Sequence, residues 1–194
     1  MSLLRAFIAS DIPLEIKQAI SSQTASLRKE SGPAVRWVTP ENIHLTLKFL
    51  GEVSASNLEL LAQALRAECA QTTSFAVPVE GLGCFPNPRR PRILWIGLTA
   101  PPALNRLQHQ VEAIAARLGY PPEDKPFSPH LTIGRVRERA SPAELQSLRI
   151  LLEQTTVASL GTFTIQEIHL YKSDLKPEGP VYTRLATARL EGKR

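Results

Sequence analysis

Residues 44–50 read HLTLKFL, and residues 130–136 read HLTIGRV. Successive side chains of a strand point to opposite faces, so in each stretch the histidine and threonine share one face. Leu45 and Leu47, or Leu131 and Ile133, share the other. Each stretch therefore predicts a half-buried strand that presents an imidazole and a hydroxyl on one side and is anchored by aliphatic residues on the other.

The flanking sequence repeats the same order. Residues 3–10 (LLRAFIAS) read as a strand, and Asp11 with Pro13 gives an N-cap-like start to a helix running to about residue 30. Ser31, Gly32 and Pro33 end it, RWV is a short extended piece, and Thr39–Pro40 turns the chain into the first motif strand, which Gly51 closes. A helix over 54–70, with Leu58, Leu61, Leu65 and Cys69 at helical spacing, leads to the strand SFAVPVEGLGCF, where Pro78 marks an edge or a bulge. The second round runs through strand RILWIGLTA, a helix over 101–118, the loop GYPPEDKPFSP and the second motif strand. A helix over 141–154 follows, capped by Ser141 with Pro142 first and Glu144 three residues on, and then two terminal strands, TFTIQEIHLYKSDL and VYTRLATARL. Phe7 precedes His44 by 37 positions, and Ile93 precedes His130 by the same 37 (44 − 7 and 130 − 93).

The matched order and spacing predict an internal duplication, with repeats of approximately 1–86 and 91–194 within one domain over 1–194. The expected class is α+β and bilobed. Two pseudo-symmetric lobes, each with a mainly antiparallel sheet, would face a central cleft and carry helices on their outer sides.

Composition narrows the partners. Hydrophobic residues make up 43% of the 194, enough for a real core, and no apolar run approaches the roughly 18 to 20 residues of a membrane span. The opening MSLLRAFIASDIP reads as a strand rather than a signal peptide, so a cytoplasmic protein without a membrane partner is expected. Cys69 and Cys84 lack C-x-x-C spacing and read as buried free thiols. A net charge of +5 is modest, but Arg89, Arg90 and Arg92, and again Arg135, Arg137 and Arg139, concentrate positive charge and favour an anionic partner.

If the two motif faces meet across a cleft, two imidazoles approach one bound group from opposite sides, as in-line displacement at phosphorus requires. With ordinary values near 6.5, one ring accepts a proton while the other donates. The hydroxyls of Thr46 and Thr132 would donate to non-bridging phosphate oxygens, and Arg135 would add a fixed, fork-shaped cation. A lone strand histidine is ordinarily structural, and His109 and His169, which lack the motif, are read so. Two copies of histidine with threonine outweigh that reading, because packing alone does not call for two polar groups on each of two strands. No Asp or Glu lies at ligand-like spacing from His44 or His130, so no metal and no other cofactor is expected. There is no G-x-S-x-G elbow for a serine hydrolase. Lys48, on the parity of His44, is a candidate to face phosphate, while Trp37 and Trp95 are assigned to the core.

The paired signatures HLTLKFLG and HLTIGR resemble those of the 2H phosphoesterase superfamily, and RAFIASDIP, RWVTPENIHLTLKFLGEV, PRILWIGL and FSPHLTIGRV extend the resemblance over nearly the whole chain. The branch it is most similar to is RNA 2′,3′-cyclic phosphodiesterase, also called 2′-5′ RNA ligase. The resemblance implies hydrolysis of an RNA 2′,3′-cyclic phosphate end to a 2′-phosphomonoester. His44 would be the proton donor, His130 the proton acceptor, and Thr46, Thr132 and Arg135 the phosphate ligands. It also implies that Phe85 stacks on the terminal base, and that members join tRNA halves by the reverse chemistry without ATP. The alternative from another class is an RNA-end-binding module with little turnover. A monomer is expected.

Overall fold

The computed structural model describes residues 3–177 and 179–192; the outermost positions of the two expected repeats, 1, 2, 193 and 194, lie outside that range. Every strand pairing is antiparallel. In chain order the strands are β1 (Leu3–Asp11), β2 (Val35–Trp37), β3 (His44–Ser54), β4 (Phe75–Phe85), β5 (Ile93–Leu98), β6 (His130–Val136), β7 (Gly161–Ile165), β8 (Glu167–Lys176) and β9 (Gly179–Arg189). The helices are α1 (Leu14–Gln23), α2 (Ala25–Glu30), α3 (Ala55–Cys69), α4 (Pro102–Arg117) and α5 (Pro142–Gln154).

The strands lie in the order β7-β4-β5-β6-β3-β1-β8-β9, with β2 pairing β6. One lobe is thus β3-β1-β8-β9 and the other is β6-β5-β4-β7 with β2. The lobes meet where β3 and β6 run side by side at a single paired position, Leu45 with Leu131, so the expected antiparallel sheets of the two lobes join there into one continuous ladder. Leu45, Leu47, Leu131 and Ile133 are buried on one face, in a hydrophobic cluster that also takes Leu58, Leu61 and Leu65 of α3 and Leu104, Leu107 and Val111 of α4. The helices cover that face; the opposite face bears the cleft. Among the described residues no helix is long and apolar enough to cross a membrane.

Local differences from the sequence reading have physical causes. The first helix breaks at Thr24, whose hydroxyl donates to the Ile20 carbonyl at 2.8 Å, a back-bond that competes with helix continuation. Asp11 is not a cap: it ends β1, and its carboxylate accepts from the Tyr171 hydroxyl at 2.6 Å and from Arg184, while Pro13 occupies the cap position. Gly51 does not end β3, which continues to Ser54. Its φ of 70° lets the strand pass an extra residue, Leu50, beside the Ala6–Phe7 step. Pro78 sits in interior strand β4, next to a bulge at which Gly81 has φ 80°. The segment 161–176 is two strands: β7 pairs with β4 and β8 with β1, at opposite ends of the sheet. Helix α5 begins as expected, with Ser141 and Glu144 forming a reciprocal capping box.

Candidate active site

Both motif histidines are the first residues of their strands. Each is oriented by the carbonyl two positions earlier: His44 Nδ1–H donates to the Asn42 oxygen at 2.8 Å, and His130 Nδ1–H donates to the Ser128 oxygen at 2.7 Å. A carbonyl can only accept, so the proton of each neutral ring is held on Nδ1 and the lone pair is on Nε2. Antiparallel pairing about Leu45 and Leu131 sets His44 across from Thr132, and Thr46 across from His130. The two histidine–threonine pairs therefore meet diagonally at the junction of the lobes.

A repeated bulge shapes both strands. The register slips at Leu47, where Ile8 pairs with Lys48 but Ala9 with Thr46, and slips again at Ile133, where Leu94 pairs with Gly134 but Trp95 with Thr132. In a bulge two consecutive residues share a face, so alternation reverses beyond it. Arg135, which strict alternation from His130 would turn toward the helices, faces the cleft, and so does Phe49 in the other strand. Lys48 turns the opposite way. It is 3% exposed and its ammonium is 3.0 Å from Glu112 of α4, which rules out the phosphate-facing role suggested by its parity with His44.

The cleft has a volume of about 510 Å³, and His44, Thr46, Thr132 and Arg135 are on its walls. His130 stands beside it against Phe85, whose ring meets the imidazole edge-on at 4.9 Å and 84°. Phe85 is half-buried and also packs on Trp95, with ring centroids 5.3 Å apart. His44 is more enclosed. Phe7 of β1 stacks on it at 4.9 Å and 28°, Tyr182 of β9 closes the edge at 5.3 Å and 87°, and Tyr171 continues the stack behind Phe7. Burial pushes His44 down to about 4, against the opposing pull of the Asn42 carbonyl and the Asp11 charge. Burial lowers His130 as well; its Ser128 carbonyl opposes this and Arg135 adds to it. Both rings are therefore neutral near pH 7 in the free site, where the sequence reading had one of them charged.

Several cleft residues escaped the sequence reading. Phe7 and Tyr182 form the wall around His44, and Arg36 lies directly across from Arg135 on β2 and β6. Arg5 also lines the cleft, and Arg135, Arg5 and Arg36 all act electrostatically on the Tyr182 phenol, which burial nonetheless raises. Trp37 is partly buried, packing against the core as well as lining the cleft, and is held by its Nε1–H donating to Ser31 at 3.3 Å. The arginines at 89, 90 and 92 are exposed on the β4–β5 connection and are not on the cleft walls. His169 is 1% exposed, with Nδ1 3.0 Å from the Thr187 hydroxyl, and His109 is exposed on α4; neither faces the cleft. Among the described residues, no three His, Cys, Asp or Glu side chains are grouped so as to hold a metal ion. Cys69 and Cys84 are buried free thiols.

The family described as LigT-like phosphoesterase matches this chain twice, over residues 11–95 and 96–182. The RNA 2′,3′-cyclic phosphodiesterase of Archaeoglobus fulgidus is 36% identical over 182 residues, covering 94% of this chain and 98% of the relative. That of Methanothermobacter thermautotrophicus is 33% identical over 187 residues, covering 96% and 99%. The crystal structure of Escherichia coli LigT complexed with 3′-AMP superposes with a TM-score of 0.77 at 29% identity, covering 97% of this chain and 99% of that one.

Proposed function

The chain belongs to the LigT-like phosphoesterases, and from that membership we propose that it is an RNA 2′,3′-cyclic phosphodiesterase using His44 and His130 as its acid and base. The observation that carries the mechanism is the matched locking of the two imidazoles, each Nδ1–H held on a carbonyl so that both Nε2 atoms are free to exchange protons.

His130 Nε2 takes a proton from water as the water oxygen attacks phosphorus. The bond from phosphorus to the 3′ oxygen breaks, and His44 Nε2–H delivers the proton that this oxygen needs. The product is a 2′-phosphomonoester with a free 3′ hydroxyl. Charge builds on the non-bridging oxygens, where the Thr46 and Thr132 hydroxyls donate and the Arg135 guanidinium offsets it. Burial leaves His44 neutral in the free site, so the arriving phosphate anion supplies the opposite charge that favours its protonated form. Phe85, beside His130, stacks on the terminal base. The choice of His44 as donor and His130 as acceptor follows the family's motif order, since the two motifs are nearly equivalent in sequence.

The reaction needs neither a metal nor another cofactor. The same ring opening with the 5′ hydroxyl of a second RNA end in place of water joins RNA ends, tRNA halves included: the bond from phosphorus to the 5′ oxygen forms as that to the 3′ oxygen breaks, leaving a 2′-5′ diester with no need of ATP. We assign the two halves to an internal duplication within one domain, a reading supported by the two successive family matches. The enzyme acts as a monomer in the cytoplasm. The deciding experiment incubates the purified protein with EDTA and an oligonucleotide ending in a 2′,3′-cyclic phosphate. Appearance of the 2′-phosphate end is expected, and no product would overturn the metal-free hydrolase.

A further inference from the structure

Lys48 is a charged residue placed where charge is costly. Its side chain is 2% exposed, yet its ammonium has three partners: Glu112 Oε2 at 3.0 Å, Glu123 at 3.9 Å and the Pro121 carbonyl, to which it donates at 2.7 Å. Glu112 is itself held, accepting from Gln108 Nε2 at 3.1 Å. Replacing a buried ion pair with apolar groups of similar volume is often neutral for stability, so stability alone does not account for this one.

Its position offers an account. An offset of 86 positions carries His44 to His130, and the same offset carries β2 (35–37) to 121–123 and Lys48 to Gly134. In the first half, the segment before the motif pairs as a strand with β6, with Trp37 opposite Gly134. Gly134 has to be small there: a Cβ would come within 2.8 Å of Val35 Cγ1 and 3.3 Å of Trp37. In the second half, the corresponding segment begins Pro121-Pro122, which has no N–H to give to a ladder. Lys48 supplies the missing donor from its side chain, reaching from β3 to the Pro121 carbonyl. The linker it holds runs on to Ser128, whose carbonyl fixes the His130 ring. A second tie, Asn57 Nδ2 to the Tyr120 hydroxyl at 2.9 Å, secures the start of the same linker.

We propose that Lys48 is a positioning residue for His130: from the strand that carries one motif histidine, it pins the loop that orients the other. This rests on the assignment of His130 as the base, but its main test does not require turnover. The variant is Lys48→Met with Glu112→Leu, which removes the tether without stranding a buried carboxylate, and the readout is the NMR titration of the His130 and His44 rings. The His130 titration is expected to move up toward 6.5 as its loop loosens and water reaches the ring, with His44 unchanged. In turnover, kcat should fall about 10- to 100-fold, as for other lost orienting contacts, with a smaller change in KM. Lys48→Arg, which keeps a cationic donor, should recover part of the loss. If the double variant does not fold, Lys48→Gln, a shorter neutral donor, is read in the same way and should shift in the same direction. A folded variant with native His130 titration and native kcat would overturn the proposal. A wild-type protein that turns over no cyclic phosphate would overturn the proposed activity instead, leaving the titration to decide this question.

Discussion

Removing the Tyr182 ring should move the pH dependence of turnover toward neutrality. Burial lowers His44 from 6.5 to about 4, a difference in solvation of about 3 kcal/mol between its two protonation states. Phe7 at 4.9 Å and Tyr182 at 5.3 Å build the enclosure responsible. Because kcat/KM reports the free enzyme, and a cyclic phosphodiester does not titrate near neutrality, the bell-shaped profile should have both limbs below 6.5: one near 4 from His44, the other from His130, which burial also lowers. Above the upper limb, kcat/KM should fall tenfold per pH unit. In Tyr182→Ala, water reaches the edge of the imidazole and desolvation relaxes, so the His44 limb should rise by about 1 to 2 units, about 1.4 to 2.7 kcal/mol. The kcat profile, which reports the complex, should lie at higher pH than that of kcat/KM, since bound phosphate favours the protonated ring. The assay is initial rates from pH 3.5 to 9 on a 2′,3′-cyclic phosphate substrate, for wild type and variant. An alkaline limb at or above 6.5 in the wild type, or identical limbs in the two proteins, would refute the argument from burial.

Other expectations follow from the same geometry. His44→Ala and His130→Ala should each lower kcat by about two to four orders of magnitude with the circular dichroism spectrum retained, and near-native turnover in either would break the two-histidine mechanism. Gly134→Ala should lower the melting temperature and loosen β2, because its new methyl meets Val35 Cγ1 at 2.8 Å; unchanged melting and unchanged exchange of the Val35–Trp37 amides would contradict this. Acidification should destabilise the fold from about pH 6.5 downward. His44, His130 and His169 are all lowered in the folded state, so the unfolded chain takes up protons first. Their contribution is complete above 6.5 and shrinks as pH falls toward the folded values, by up to about 3 kcal/mol for His44 alone. Urea unfolding at pH 7.5 and 5 measures it, and equal stability at the two would contradict the sign.

The motif strands, α3, α4 and the capped α5 were legible in the sequence because each is specified by a local period or a local cap. What it did not disclose depends on partners distant in the chain. The bulges at Leu47 and Ile133 exist only relative to Ile8–Ala9 and Leu94–Trp95, so the period of two put Lys48 on the wrong face, and nothing local shows how Arg135 comes to face the cleft. Tyr182 encloses His44 from 138 positions away, and no local pattern marks it. Asp11 was drawn into a capping role by Pro13, whereas Tyr171 and Arg184 claim its carboxylate. The imidazole environments were also out of reach, since an ordinary titration near 6.5 is the right prior until burial is known.

Strand order has a consequence for how this protein can be taken apart. β4 leaves the first half of the chain to lie beside β5, while β8 and β9 leave the second half to complete the sheet of β1 and β3. Cutting the exposed 86–90 segment would thus not release two domains. It would yield two pieces, each with strand edges shaped for the other, that reassociate without a covalent link or, kept apart, satisfy those edges by exchanging strands with a second copy of themselves. The lobes are woven rather than hinged.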